Sequence, residues 1–282
     1  MAGNPWPMPV PHATTELADG LFRLDGQVAI VTGGSEWLGF DAADALASAG
    51  CHVILTSRTP GRAEAPARKL RERHGIETLV LPLDQQEHAS VAELARQAQA
   101  WKGRVDILVN NAGGGSGASE GNLFKRDPAD IARLIAVNLT GVIYCCQEIG
   151  RLMSDRGRGK IINIASISGL VGRNRDLYRR TGVREQPVDY AAAKAGVIGF
   201  TRDLAAFLAP FHIQANSISP GGFDKGKLPA AFVEGYGALA ISGHMGRMQK
   251  DIKGAALFLA SSASDYVTGH NLVVDGGFTA WK

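Results

Sequence analysis

The chain has 282 residues, 45% of them hydrophobic, with 35 glycines and a net charge of +3. That length suits one α/β domain, and so many glycines suit repeated tight strand–helix turns. So small and dispersed a charge excludes the basic footprint of a nucleic-acid-binding protein. No apolar run approaches the ~20 residues that would span a membrane. Cys51, Cys145 and Cys146 show no metal-type spacing and two are adjacent. A reducing, cytoplasmic setting is therefore expected rather than a disulfide framework. The N-terminus lacks a basic segment followed by an apolar core, so no secretory signal is expected.

Residues 4–11 alternate proline with other residues and read as an extended arm, which we bound at 1–24. Short apolar runs then alternate with helical patterns. Strands are predicted at 27–32, 52–57, 77–81, 105–109, 160–164, 213–217 and 271–274. Helices are predicted at about 37–50, 62–74, 87–102, 128–153 and up to Leu208. Repeated strand–helix–strand units with right-handed crossovers imply a three-layer, doubly wound Rossmann fold. Its sheet is expected to be mainly parallel and seven-stranded, in a single domain over 25–282.

Two motifs carry chemistry. In Asp189-Tyr190-Ala-Ala-Ala-Lys194-Ala-Gly196, a tyrosine and a lysine stand one helical turn apart on one face. A nearby ammonium favours the phenolate, so the tyrosine is expected to titrate lower than usual and to exchange protons with an alcohol or carbonyl. In Thr32-Gly33-Gly34-Ser35-Glu36-Trp37-Leu38-Gly39, a glycine-rich turn follows a strand and opens a helix. Backbone N–H groups there suit a pyrophosphate.

Further motifs stand in order along the chain. They are Asn110-Asn111-Ala112-Gly113, Asn138 within Val137-Asn138-Leu139, Ser166 after the fifth strand, Asn216-Ser-Ile-Ser-Pro220-Gly221, and Val274-Asp275-Gly276-Gly277. With the phosphate loop and the Tyr–Lys pair, they resemble the short-chain dehydrogenase/reductase family over about 25–282, and in particular members such as gluconate 5-dehydrogenase. The resemblance implies an NAD(P)-dependent oxidoreductase interconverting a secondary alcohol and a ketone by hydride transfer. A small polar hydroxylated substrate such as a sugar acid is expected. A 3-oxoacyl-thioester reductase and a catalytically silent nucleotide sensor are the alternatives.

On that resemblance, Tyr190 is the general acid or base and Ser166 hydrogen-bonds the substrate oxygen. Lys194 grips the nicotinamide ribose and depresses the tyrosine, and Asn138 holds a water that links Lys194 to solvent. Gly33, Ser35, Trp37, Leu38 and Gly39 meet the pyrophosphate. Asp84, Asn111, Ala112 and Gly113 flank the adenosine and the central sheet, and Pro220 and Gly221 lie by the carboxamide. NAD-specific relatives end the second strand with an acid. Here Thr56-Ser57-Arg58 stands there, so Ser57 does not repel a 2′-phosphate and Arg58 pairs with one. Glu36 opposes this from a place that is often basic in NADP-binding relatives. NADP is the expected cofactor, with NAD as the alternative.

Three features depart from the family. Trp37 replaces the loop's middle glycine, where its indole either crowds the pyrophosphate, turns outward over it, or packs under a neighbouring loop. Gly222-Phe223-Asp224-Lys225 follows Pro220-Gly221 where many relatives soon carry a threonine, and Phe223 is a candidate pocket wall. An arginine-rich stretch, 172–187, separates Ser166 from Tyr190. It contains Arg173, Arg175, Arg179, Arg180 and Arg184, read either as anion-binding or as a solvated loop or subunit contact. Beyond it, Leu228, Phe232, Tyr236, Leu239, Ile241 and Met245 are expected to line a pocket. His244 and Arg247 are assigned no chemistry. A homotetramer built through the helix from Lys250 and the last strand is implied.

Overall fold

Alternation within each strand sets the layers. In β1 (Val28–Val31), Ala29 and Val31 join one core while Val28 and Ile30 join the other. The same two-residue period divides β2 (His52–Ser57), where Val53 and Leu55 face one side and Ile54 the other. Strands buried on both faces are the mark of a sheet covered by helices on each side. The computed structural model describes residues 18–114 and 120–281.

After α1 (Ala18–Leu21), α2 (Trp37–Ser48) follows β1 and α3 (Gly61–His74) follows β2. Then come β3 (Thr78–Pro82), α4 (His88–Lys102), β4 (Ile107–Asn110) and α5 (Pro128–Ile135). A π-helical turn over Ala136–Thr140 joins α5 to α6 (Gly141–Ser154). The chain continues through β5 (Gly159–Ile164), α7 (Arg175–Thr181), α8 (Val188–Leu208), β6 (Ile213–Pro220) and β7 (Phe223–Asp224). It ends with α9 (Ala230–Gly237), β8 (Gly246–Arg247), α10 (Lys253–Ala260) and β9 (Asn271–Val274).

Seven strands form one sheet in the order β3-β2-β1-β4-β5-β6-β9, and every pairing is parallel. The order reverses at β1, and the carboxyl ends of β1 and β4 flank that switch point, where ligands of such sheets bind. Helices α2, α3 and α10 cover one face through Leu46, Leu70 and Leu259. Helices α4, α6 and α8 cover the other through Leu94, Ile149 and Val197. β7 and β8 make a small parallel pair of their own.

Three expectations change. The arm is outside the described residues up to residue 17, and the boundary at 24 falls in packed chain, because Leu24 is fully buried and its N–H donates to Ala49 O at 2.8 Å. The stretch 172–187 is not simply a solvated loop: it holds α7, whose Leu177 is buried against α9. Finally, α5, the π turn and α6 form the one helix expected at 128–153, Pro128–Ser154, but its mean hydropathy of 1.4 departs from the expectation that no apolar run approaches a membrane-spanning length. Among the described residues it alone is long and apolar enough, by length and composition, to cross a membrane. Its apolar composition has a local cause, since Val142, Cys145, Ile149 and Met153 pack on the sheet.

Candidate active site

A cavity of about 1260 Å³ opens along the carboxyl edge of the sheet, lined from the end of β2 across to the segment after β6. Its first wall is the phosphate loop. Glu36 is the extended residue before α2, and no side chain caps that helix, so its leading N–H groups are left for an anion. Gly33 adopts φ +60, and a Cβ there would press on the Ala112 Cα at 3.0 Å. A Cβ on Gly39 would collide with the Asn111 amide and the Gly33 carbonyl. These glycines are thus required by close backbone approach. Ser35 and Leu38 line the same cavity.

Asn111 fixes the loop from the neighbouring strand. Its amide donates to Thr32 O (3.0 Å) and Gly33 O (3.1 Å), while the N–H groups of Asn111 and Ala112 both donate to Thr32 Oγ1 at 2.9 Å. Behind it, Asn110 donates to Asn163 Oδ1 (2.9 Å), and Asn163 donates to Thr201 Oγ1 (3.0 Å), which links β4, β5 and α8 through buried polar groups, although Asn110 Oδ1 itself has no partner among the described residues. Gln85, which sequence reasoning missed, is buried and donates to Ala112 O at 2.9 Å and Val137 O at 2.5 Å. It ties the 112–114 segment to the helix below. Gly113 lies at φ +139, where a Cβ would meet Asn138 Oδ1 at 2.6 Å.

At the β2 end, Ser57 accepts from the Thr59 N–H at 3.2 Å. Arg58 is exposed on the cavity lining, joined by a second arginine, Arg62, the second residue of α3. No carboxylate among the described residues pairs with either. Periodicity hid Arg62, because it reads as one more charge on a solvated helix. Asp84 accepts from the Gln86 N–H (3.1 Å) at the rim.

The groups expected to react lie just after β5 and on α8. Tyr190 and Lys194 share a face as the spacing predicts, both buried, with Lys194 Nζ 5.8 Å from the Tyr190 ring centre. Lys194 Nζ donates to Ile164 O at 2.7 Å. Ser166 caps the short turn Ile167–Gly169, accepts from the Ser168 N–H at 3.1 Å, and hydrogen-bonds Tyr190. One expectation fails here. Burial pushes the Tyr190 phenol up from its usual range, and the hydrogen bond from Ser166 and the charge of Arg173 only partly offset it. The ammonium of Lys194 does not bring the phenol down, because burial lowers Lys194 itself, from 10.5 to about 8.

That lysine sets a pH dependence. Between about 8 and 10.5 the unfolded chain holds a proton that folded Lys194 has lost, so stability rises with pH across this window. Below about 8 the cost of the buried ammonium is fully present. At 1.36 kcal/mol per pH unit it amounts to about 3 kcal/mol. Urea unfolding of the cofactor-free protein at pH 7.5 and 10, compared with Lys194→Met, should show this rise in wild type and not in the variant. Identical pH profiles would refute it.

Asn138 sits in the π turn. Its Oδ1 accepts from the Gly114 N–H (2.7 Å), and its amide donates to Leu134 O (3.0 Å) and Gly114 O (3.3 Å). One amide hydrogen is therefore engaged with the 112–114 segment and the other with the preceding helical turn. Pro220 and Gly221 line the cavity as expected, with the Gly221 N–H donating to Val274 O at 2.9 Å.

The arginine-rich stretch closes the far side. Arg173 donates to Gln186 O (3.0 Å), Gln186 Oε1 (3.0 Å) and Ser168 Oγ (2.9 Å). Its charge reaches the phenols of Tyr178, Tyr190 and Tyr236. Arg175 pairs with Glu185 and so ties α7 to the chain before α8, while Arg179 pairs with Asp176 on the exposed face of α7, and neither arginine lines the cavity. Arg184 lines the cavity. Phe223, Leu228, Phe232, Tyr236, Leu239 and Met245 line it too, whereas Ile241 is 58% exposed and points away. Tyr236 Oη accepts from the Gly222 N–H at 2.6 Å, and burial raises this phenol to about 12. His244 bonds Met245 O and Arg247 pairs with Asp251, outside the cavity.

A parallel doubly wound sheet with a phosphate-ready loop at its switch point, and a Tyr–Ser–Lys group two strands away, defines an NAD(P)-dependent dehydrogenase/reductase acting on CH–OH groups. The chain belongs to the short-chain dehydrogenase/reductase family. The family profile described as enoyl-(acyl carrier protein) reductase matches residues 36–279. An NADP-dependent mannitol dehydrogenase of Hypocrea jecorina is 33% identical over 97% of this chain and 99% of its own. A cis-4-hydroxycyclohexanecarboxylate dehydrogenase of Sinomonas cyclohexanicum is 35% identical over 90% and 97%. The crystal structure of a gluconate 5-dehydrogenase from Burkholderia cenocepacia J2315, in complex with NADP and tartrate, superposes with a TM-score of 0.84 at 35% identity, covering 94% of this chain and 100% of that one.

Proposed function

We propose that this protein is an NADP(H)-dependent oxidoreductase that interconverts a ketone and a secondary alcohol on a small, polar, hydroxylated acid such as a sugar acid. One observation carries the reading: a single cavity joins the Ser166–Tyr190 pair to the unpartnered Arg58 and Arg62. When bound, the nicotinamide supplies or takes up the hydride. Tyr190 gives its proton to the substrate oxygen in reduction and takes it back in oxidation. Ser166 hydrogen-bonds that oxygen and fixes its distance from Tyr190. Lys194 turns from Ile164 O toward the ribose hydroxyls, and Asn138 positions the 112–114 segment against the dinucleotide. Arg58 and Arg62 take the 2′-phosphate, Asp84 meets the adenine, and Arg173 and Arg184 favour an anionic substrate.

A homotetramer in the reducing cytoplasm completes the reading. It is supported by buried, unpaired cysteines and by the open sheet edge at β9, where Val273 is exposed. The cofactor choice is testable: Arg58→Ala with Arg62→Ala should weaken NADPH binding about tenfold or more and leave NADH binding unchanged, as loss of charge-assisted bonds to one phosphate requires. Equal loss for both cofactors would refute that role.

A second substrate reading rests on the far wall. Leu177, Phe232, Tyr236, Met245 and Phe278 form one apolar cluster, with Tyr236 and Phe278 stacked at 4.7 Å. Such a wall suits an alicyclic or aromatic ketone bearing one carboxylate. A polyol would lose water there, at about 1–3 kcal/mol for each hydroxyl left unpartnered. A panel of sugar acids, polyols, 4-oxocyclohexanecarboxylate and 3-oxoacyl thioesters, read at the nicotinamide absorbance, separates these readings. Nucleotide binding without turnover on any of them would instead mark a silent sensor.

A further inference from the structure

Two of the places where this chain departs from its family's pattern meet in space. Trp37 stands in the phosphate loop where relatives carry glycine, and Lys225 and Lys227 stand in the segment after Pro220-Gly221. Lys225 Nζ lies 4.6 Å from the centre of the Trp37 ring and Lys227 Nζ 5.4 Å. Both distances are within the ~6 Å reach of a cation–π contact, and tryptophan is its best acceptor. Trp37 holds this position at φ +54, a left-handed conformation that a side chain as bulky as indole rarely adopts. Strain of this kind persists where the surroundings over-determine it, and it clusters at active sites, ligand clamps and switch regions. The indole is half-buried, and it shares a second, shallow cavity with Phe40, Pro66 and Met248. It faces two ammonium groups brought from the other side of the cavity.

Those ammonium groups are more than the indole needs. Lys225 lines the cavity beside Ser35, Glu36 and Trp37. Burial pushes its ammonium down, the Glu36 carboxylate pulls it back up, and the charge of Lys227 pushes it down again. Glu36 offsets one of the two lysines. One positive charge remains, next to an uncapped helix N-terminus and inside the same cavity. This arrangement also answers the objection that Glu36 repels a phosphorylated cofactor, since its charge is already matched.

We propose that Trp37, Lys225 and Lys227 form a clasp over the pyrophosphate of the bound dinucleotide. The indole holds the two ammonium groups across the mouth of the phosphate loop. They supply to the diphosphate the charge that compensates for the loop's missing middle glycine. The clasp grips the part that NADP and NAD share, so it raises affinity for both, and Arg58 and Arg62 choose between them. It rests on the reading that the cavity holds a nicotinamide dinucleotide. Because Lys227 is exposed and Lys225 is only partly shielded, its contribution falls with added salt.

The test compares two fragments by calorimetric titration. ADP-ribose carries the pyrophosphate without a 2′-phosphate. Adenosine 2′,5′-bisphosphate carries the 2′-phosphate without a pyrophosphate. Lys225→Ala with Lys227→Ala should weaken ADP-ribose about tenfold or more, as expected for lost charge-assisted bonds, and the bisphosphate much less. Arginine at both positions should restore affinity. Trp37→Phe should keep most of it, and Trp37→Gly should lose the lysine contribution, so that adding the lysine changes then costs little more. Unchanged ADP-ribose binding in the lysine variant overturns the clasp, as does equal loss for both fragments. If wild type binds neither fragment, the dinucleotide reading itself fails, which is a separate result.

Discussion

Tyr190→Phe is expected to lower kcat by about 10²–10⁴-fold, the usual range for losing a positioned proton donor. The ring is kept, so its packing against Leu134 and Ala193 survives, and Ser166 retains its bond from the Ser168 N–H. Cofactor affinity and the unfolding midpoint should therefore hold while turnover collapses. Because burial keeps the phenol protonated, the wild-type reductive rate should stay flat as pH rises through neutrality. Oxidation needs the phenolate, so its rate should climb with pH over the same range. Steady-state kinetics in both directions, on wild type and Tyr190→Phe, check this. A variant that keeps a tenth or more of the wild-type kcat would remove Tyr190 from the proton-transfer role.

Arg126→Ala should destabilise the fold by about 3–5 kcal/mol, because it strands a buried carboxylate. Arg126 has 1% of its side chain exposed and Asp189 has 7%. The guanidinium grips Asp189 through two bonds, at 2.9 and 2.8 Å, and also donates to Glu120 O (3.2 Å) and Asp130 O (3.3 Å). Asp189 precedes Tyr190 in the first turn of α8, where a carboxylate also suits the helix dipole. The pair therefore sets where the tyrosine begins its helix. At about 2–4 °C per kcal/mol for a chain of this size, the unfolding midpoint should fall by roughly 10 °C. The double variant Arg126→Met with Asp189→Leu should recover much of that loss, since a buried pair replaced whole leaves no charge unpartnered. Its kcat should stay depressed if the pair positions Tyr190. Thermal unfolding combined with kinetics on wild type and the two variants decides it, and an Arg126→Ala variant as stable as wild type would refute the role.

Much of this was legible in the sequence because the signals are local. Two-residue alternation in runs such as Val28–Val31 is enough to mark strands buried on both faces, and their spacing by helical segments implies a parallel doubly wound sheet. The Tyr190–Lys194 face follows from helical pitch alone. Contacts between distant segments carry no such signature. Arg126 reads as an ordinary loop charge until α8 places Asp189 against it. Arg62 reads as a solvated helix residue until β2 and α3 bring it to the cavity. The expected depression of Tyr190 reversed for a similar reason, since spacing shows that an ammonium is near but not that both groups lie out of water.

The sequence by itself thus determined the layered fold, the glycine-rich turn at the sheet's switch point and the shared face of Tyr190 and Lys194, all consequences of period, turn chemistry and pitch, while the roles expected of the site residues rest on the family resemblance. Only the tertiary structure decided which arginines face the cavity and which pin α7, how burial tunes Tyr190 and Lys194, and that Trp37 meets Lys225 and Lys227. Those outcomes depend on desolvation and on side chains brought together from opposite ends of the chain, and neither is encoded in any local pattern.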